Sequence, residues 1–251
     1  MIAQRVGAQV QFVNLDTDYC IDLGDLKSKF NSSVKVVSLQ YGSNVTGAIH
    51  PLEKVRDIIG PDVLFCVDAS QMVLRGPVSM KDIHCDALVF SWHKMMADTG
   101  IGVLAVSEDG YEQAGIPERW EPGTPHITWA VTLGAAIEYL ETIDTTKREK
   151  YAQLVELVTQ KFIQLAPKWV QVFHSNRAHS LGVWSFVIPG KHPNDIADMF
   201  SEEGICLRSG HHCCEPLHTY LGLSGSVRMS IGFDTTSEEV ERFFAVLESF
   251  L

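Results

Sequence analysis

The sequence predicts an α/β fold: a mostly parallel sheet with flanking helices, followed by a smaller α+β domain. Three observations predict it. In the first half, short apolar runs alternate with helix-spaced segments, the β-α-β order of parallel strands joined by crossovers. Those runs break into polar residues at their ends, as in "VLFCVDASQ" and "DALVFSWHK". After "WEPGTP" the pattern changes to two long helical stretches and then shorter strands and helices. We place the two domains at residues 1–143 and 144–251.

The elements follow in order. The alternation of "AQVQFVNL" (residues 8–15) predicts a strand, and "DLGDLKSKF" (22–30) has helical spacing. "VKVVSLQYGSN" reads as a strand, "PLEKVRDIIG" as a helix opened by proline and closed by glycine, and "VLFCVDASQ" as a strand. "DALVFSWH" and "GVLAVS" supply two more strands. Helical patterns then run from about Trp129 to Leu140 and from about Lys147 to Leu165. "HSLGVWSFVIPG", "ICLRSG" and "SVRMSIGF" read as strands, with helices in "HPNDIADMFSEEG" and "SEEVERFFAVLESF".

Bulk properties narrow the function. Of 251 residues, 45% are hydrophobic and 20% charged, a globular balance that argues against disorder. A net charge of -11 disfavours nucleic acid and anionic membrane as partners. No apolar run approaches the ~20 residues of a bilayer span, and the first 20 residues hold no apolar signal-peptide core. Six cysteines without a spaced framework point to a reducing cytoplasm, with Cys66 and Cys85 in core-like runs.

Three strand ends carry polar residues that suggest chemistry. Asp68 follows an apolar run, with Gln71 just beyond it; "DASQ" is also the shape of a helix cap. Ser91, His93 and Lys94 end the next strand, where a lysine is either simply solvated or placed to act as a nucleophile. If the two strands are adjacent and parallel, Asp68 and Lys94 share one crevice. An acid and a lysine there suit pyridoxal phosphate, the acid holding the ring nitrogen protonated and the lysine forming the Schiff base. Asn44 ends a third strand before Gly47, a turn signal that would set an amide beside the same crevice.

"LRSGHHCCEP" (207–216) is the least ordinary string. Four consecutive residues do not easily face one ion, although His218 has a workable spacing from Cys214; we assign no metal. A buried structural cluster is one alternative. In the other, Cys213 or Cys214, close to Arg208, His211 and His212, has its thiol lowered below the free value of ~8.5 and acts as a nucleophile.

Taken in order, "SNVTGAIHP", "VDASQ", "FSWHKMMADTGIGVL", "EPGTP", "GICLRSGHHCCEP" and "SVRMSIGF" resemble the SUF-type cysteine desulfurases and selenocysteine lyases. These are class V members of the fold-type I pyridoxal-phosphate enzymes. The resemblance covers nearly the whole chain. It implies that Lys94 is the Schiff-base lysine, that Asp68 pairs with the pyridinium nitrogen and that Gln71 supports the ring hydroxyl. It implies that Ser91 and His93 hold the phosphate, with the Gly123-Thr124 loop completing a site across a homodimer. Asn44, Arg208 and Arg228 would grip the carboxylate of L-cysteine or selenocysteine. Cys213 would take the sulfur as a persulfide and pass it to an acceptor protein, leaving alanine.

The chain also departs from the pattern. Family members carry a segment before the equivalent of Ile2, with a Thr-Thr phosphate turn and a histidine that stacks on the ring. "EDGYEQAGIPERWEPGTP" is shorter than its counterpart, Trp92 replaces a glycine and "MMAD" replaces a "YGP"-like turn. Two other readings therefore stand beside a desulfurase: a cofactor-impaired relative or split-enzyme half serving as a scaffold, and a related class V lyase or aminotransferase.

Overall fold

A computed structural model describes residues 2–108, 123–124, 126–175 and 180–251; most of the shortened "EDGYEQAGIPERWEPGTP" stretch lies outside them. The chain divides into two compact units. The first comprises Met1–Gly42 and His50–Ile137, and the second Ser43–Ile49 and Glu138–Leu251.

In the first unit, helices α1 (Ile2–Arg5) and α2 (Leu23–Lys29) precede strand β1 (Val36–Gln40). Then come α3 (Leu52–Ile59), β2 (Leu64–Asp68), α4 (Met80–Ile83), β3 (Ala87–Ser91), a 3₁₀ turn (Trp92–Met95) and β4 (Gly102–Val106). Asp22 caps α2 by accepting from the amides of Gly24 and Asp25. The strands lie in the order β1-β2-β3-β4; the first two pairings are parallel and β4 returns antiparallel along the edge. The mostly parallel sheet read from the sequence is therefore present. Residues 8–14 are a correction: they form no strand. Val10 and Phe12 are exposed, and only a single bridge joins Leu15 to Ile21. Alternation cannot make a strand without a partner to satisfy its amides.

One face of this sheet is packed. Leu52, Val55 and Ile59 of α3, at helical spacing, close over Phe65, Val67 and Leu88. Arg56 fastens the loops beneath. It bonds the carbonyls of His84, Gly60 and Val63 and pairs at 2.6 Å with Asp86, which also accepts from the Phe65 amide. The pleat turns alternate residues to the other face. In register across it stand Gln40, Asp68, Val89 and Leu104, with Val89 40% and Leu104 47% exposed.

The long helix α5 (Ile127–Glu141) leads out of the first unit. The second contains α6 (Thr145–Trp169), β5 (Gln171–Phe173), β6 (Val183–Val187), α7 (Pro193–Glu202), β7 (Arg208–Gly210), α8 (Glu215–Tyr220), β8 (Ser226–Ser230) and α9 (Ser237–Ser249). Its sheet is antiparallel throughout, in the order β5-β6-β8-β7. Phe162 of α6 sits among the rings of Trp184, Phe186, Phe243 and Phe244, with centroids 5.0 to 6.3 Å apart. Thr236 and Glu239 form a reciprocal capping box at the start of α9.

Residues 43–49 cover the remaining face of β6. Ser185 donates to the Val45 carbonyl at 2.6 Å, Ser175 to that of Thr46 and Leu181 to that of Gly47. Gly47 has φ +67, and a Cβ there would lie 2.7 Å from the Leu181 carbonyl and 2.8 Å from that of Val183. Only glycine fits both the conformation and the approach. His174 is buried nearby, its ring bonded to the Val183 carbonyl and the Ser180 hydroxyl, and burial pushes its pKa down to about 4.

Candidate active site

In the first unit, Asp68 ends β2 and Ser91 ends β3. These strands are adjacent and parallel, so both residues reach the same carboxyl edge, with Asp68 paired to Val89. Asp68 is exposed, and its carboxylate caps a turn, not a helix: Oδ1 accepts from the Ser70 amide at 2.8 Å. Its other oxygen meets no partner among the described residues. Gln71 is half-buried in that turn and bonds no other described residue.

Beyond Ser91 the chain winds one 3₁₀ turn. Residues three apart eclipse in such a turn, and Trp92 and Met95 are both buried. His93 and Lys94 are left to point outward. The turn is pinned by the Trp92 amide on the Ile101 carbonyl and closed by Met96 at φ +65. Ser91 Oγ and His93 Nδ1 share a hydrogen bond of 2.7 Å. Lys94 is half-buried, and its amine has neither an ion pair nor a hydrogen bond among the described residues. The edge thus gathers an open carboxylate oxygen, an unpaired amine, a hydroxyl and an imidazole. Thr124 is exposed beside Gly123 and shares no hydrogen bond with them.

Asn44 belongs to the second unit. Its Nδ2 donates to the His212 carbonyl at 2.7 Å, and its own carbonyl accepts from Arg228 Nη1 at 3.1 Å. Arg208 and Arg228 are direct cross-strand partners on β7 and β8. Two like charges opposite one another are unfavourable. Burial first, and then the Arg208 charge, lowers Arg228 below the ordinary arginine value. Among the described residues, Arg228 Nε is buried without a hydrogen-bond partner. A buried, unpaired donor beside a second guanidinium calls for an anion.

The loop between β7 and α8 carries the paired cysteines. It is a tight turn. His212 and Cys213 have φ +53 and +59, and the Cys214 amide closes on the His211 carbonyl at 2.8 Å. Consecutive positive φ values are the signature of a type I′ turn, which glycine and asparagine ordinarily occupy. Of the six cysteines, all free, only Cys206 and Cys213 are exposed. Burial raises the thiols of Cys66 and Cys214 and pushes Cys85 up to about 11. Cys214 is thus the reverse of an activated thiol. His218 directs both ring nitrogens to protein partners, the Cys214 carbonyl at 3.0 Å and Ser226 Oγ at 2.9 Å. Among the described residues no three His, Cys, Asp or Glu side chains converge on an ion position.

Ser226 is the residue that sequence reasoning missed. It is fully buried and joins His212 to His218, and nothing around a serine at the start of a strand announces this.

Comparison with known proteins matches this arrangement to a family. The class-V aminotransferase model matches residues 1–243. A probable cysteine desulfurase of Pyrococcus abyssi is 35% identical over 98% of this chain and 67% of its own length. One of Synechocystis is 33% identical over 99% of this chain and 65% of its own. The solved structure of the cysteine desulfurase from Thermococcus onnurineus NA1 superposes with a TM-score of 0.89 at 33% identity, covering 99% of this chain and 68% of that one. The chain spans about two thirds of the length of these relatives. With fold and family model in agreement, the chain belongs to the class-V aminotransferases, a family of pyridoxal phosphate-dependent enzymes.

Proposed function

We propose that this protein is a pyridoxal phosphate-dependent cysteine desulfurase, taking sulfur from L-cysteine to give alanine and a persulfide on Cys213. One observation carries the reading most directly: an exposed thiol on a strained turn, beside an arginine pair whose buried Nε lacks an acceptor. A substrate carboxylate is that acceptor. Arg228 and Arg208 would bind it, and Asn44 would hold Arg228 in place through its carbonyl.

The donors of the first unit fit the cofactor. The open oxygen of Asp68 would face the ring nitrogen and, by favouring the charged form, keep it protonated. Lys94, unpaired, would engage the aldehyde and later move the α-carbon proton on its Nζ. Ser91 and His93 would bind the phosphate, Gln71 the ring hydroxyl, and Thr124 the phosphate of a partner in a homodimer. Pyridoxal phosphate, when bound, supplies the electron sink that makes the α-carbon acidic. The Cys213 thiolate attacks the substrate sulfur; the C–S bond breaks, its electron pair stays with carbon, and a proton replaces sulfur there. One thiol and one cysteine become one persulfide and one alanine. L-selenocysteine has the same carboxylate and amine to offer. An exposed persulfide must be discharged by another thiol, so the reading includes a sulfur-acceptor protein, the supply of sulfur for iron–sulfur clusters and a reducing cytoplasm.

The test is incubation of the purified protein with pyridoxal phosphate and L-cysteine. Expected are a visible absorbance band that Lys94→Ala abolishes, alanine release, and one added sulfur on Cys213 by mass spectrometry. Cys213→Ser should lose the added sulfur and Cys214→Ser keep it. Asp68→Asn should retain the band while turnover falls roughly 10²- to 10³-fold. A wild-type protein that stays colourless in excess cofactor, or sulfur found on Cys214, overturns the reading.

A further inference from the structure

The turn that presents Cys213 is costly. Two successive non-glycine residues hold positive φ, which side chains rarely adopt, and such geometry persists only where its surroundings over-determine it. Three contacts do so here. Asn44 Nδ2 holds the His212 carbonyl. His212 Nε2 lies 3.1 Å from both the hydroxyl and the carbonyl of Ser226. His218, with no exposed surface, spans from Ser226 Oγ at 2.9 Å to the Cys214 carbonyl at 3.0 Å.

With both rings neutral, the protons in this cluster have one consistent arrangement. A carbonyl only accepts, so His218 Nδ1 carries a hydrogen toward Cys214, and in the neutral imidazole Nε2 is then an acceptor. Ser226 must donate its hydroxyl hydrogen to that nitrogen. With the Ser226 hydrogen spent and its carbonyl an acceptor, His212 Nε2 must donate to both oxygens. His212 is neutral at neutral pH, since burial and then the Arg228 charge push it down to about 4. The order is one-way: His212 Nε2–H to Ser226 Oγ–H to His218 Nε2, and His218 Nδ1–H to the Cys214 carbonyl.

We propose that Ser226 and His218 are positioning residues for the sulfur-accepting thiol: their relay ties the residue before Cys213 to the residue after it, fixing the turn and the tautomer of His212. The proposal rests on the reading of Cys213 as the sulfur acceptor. Its effect is geometric. A reacting atom displaced by about 1 Å can lose 10²-fold in rate, and a relay clamping both flanks prevents such displacement. In the neutral His212 the relay also leaves Nδ1 unprotonated, an acceptor at the base of the same turn.

The test combines rates with imidazole spectroscopy. In the cofactor-loaded protein, Ser226→Ala should slow sulfur addition to Cys213 roughly ten- to a hundredfold and leave the Lys94-dependent visible band unchanged. Ser226→Thr, which keeps the hydroxyl, should restore most of the rate; a merely structural serine would not divide the variants by hydroxyl. Nitrogen-15 spectra of the histidine rings should show His212 protonated at Nε2 and His218 at Nδ1, with Ser226→Ala releasing His212 to a tautomer mixture. Wild-type rates in Ser226→Ala, or a His218 protonated at Nε2, overturn the relay. Should the wild type form no persulfide, the desulfurase reading fails, and the ring spectra still decide whether the relay exists.

Discussion

The two units of this protein close their sheets to different degrees. In the second, helices pack the β6–β8 core on one side while residues 43–49 cover β6 on the other, and four strand residues in succession, Val183 to Phe186, are buried. In the first, the described helices pack one face, and Val36, Val89 and Leu104 are exposed on the strands of the other. The polar groups follow the same division. Asn44, His212, Ser226 and His218 are joined by hydrogen bonds, whereas among the described residues Lys94 has no partner and Asp68 uses one oxygen. The lesson is that the polar cluster of the second unit is closed by its own hydrogen bonds, whereas the strand ends of the first keep polar groups that, among the described residues, meet no partner.

The largest expected effect on this contrast comes from Phe162, whose ring meets four others in the second unit. Phe162→Ala should cost about 3–5 kcal/mol, measured by urea unfolding followed through Trp184. A loss under about 1 kcal/mol would mean that this core is far less tightly packed than its ring distances indicate.

Acid should distinguish the units next. His174 and His212 both have folded-state pKa values near 4 against an ordinary 6.5. The unfolded chain therefore takes up protons first. The contribution of these groups is intact above 6.5 and is lost as pH falls toward 4. Unfolding midpoints should decline across that window, and His174→Gln should flatten the decline. A midpoint constant through the window would contradict the burial of both rings.

The smallest effect is expected on the open face. Leu104→Thr exchanges an exposed side chain for another strand-forming one, so stability should change by less than about 0.5 kcal/mol. A loss of several times that size would show that the face is covered in solution, for instance in a self-associated form, and sedimentation of the same variant would detect it.

Much of this was legible in the sequence, for reasons of range. Helix signals act over about four residues. Asp22, the proline and glycine bounding α3, and the Thr236–Glu239 box accordingly mark helix ends where they stand. The apolar runs leading into Asp68 and Ser91 became adjacent parallel strands because β-α-β order leaves few other ways to pair them. Alternation misled at residues 8–14 because pattern without a neighbour does not pair. At the paired cysteines the difference is desolvation: Cys214 is half-buried and Cys213 exposed, and adjacent residues in a motif carry no record of that.

The sequence by itself determined the order of elements, the polar ends of β2 and β3, and the Arg-x-Gly-His-His-Cys string, since each is a local pattern read over a few residues. Only the tertiary structure decided that residues 43–49 fold with the second unit, that Arg228 keeps a buried nitrogen unpaired, and that Ser226 links His212 to His218. The physical reason is that burial and hydrogen-bond partnership belong to pairs: Asn44 and Arg228 lie 184 positions apart, nothing between them announces their contact, and folding alone brings it about.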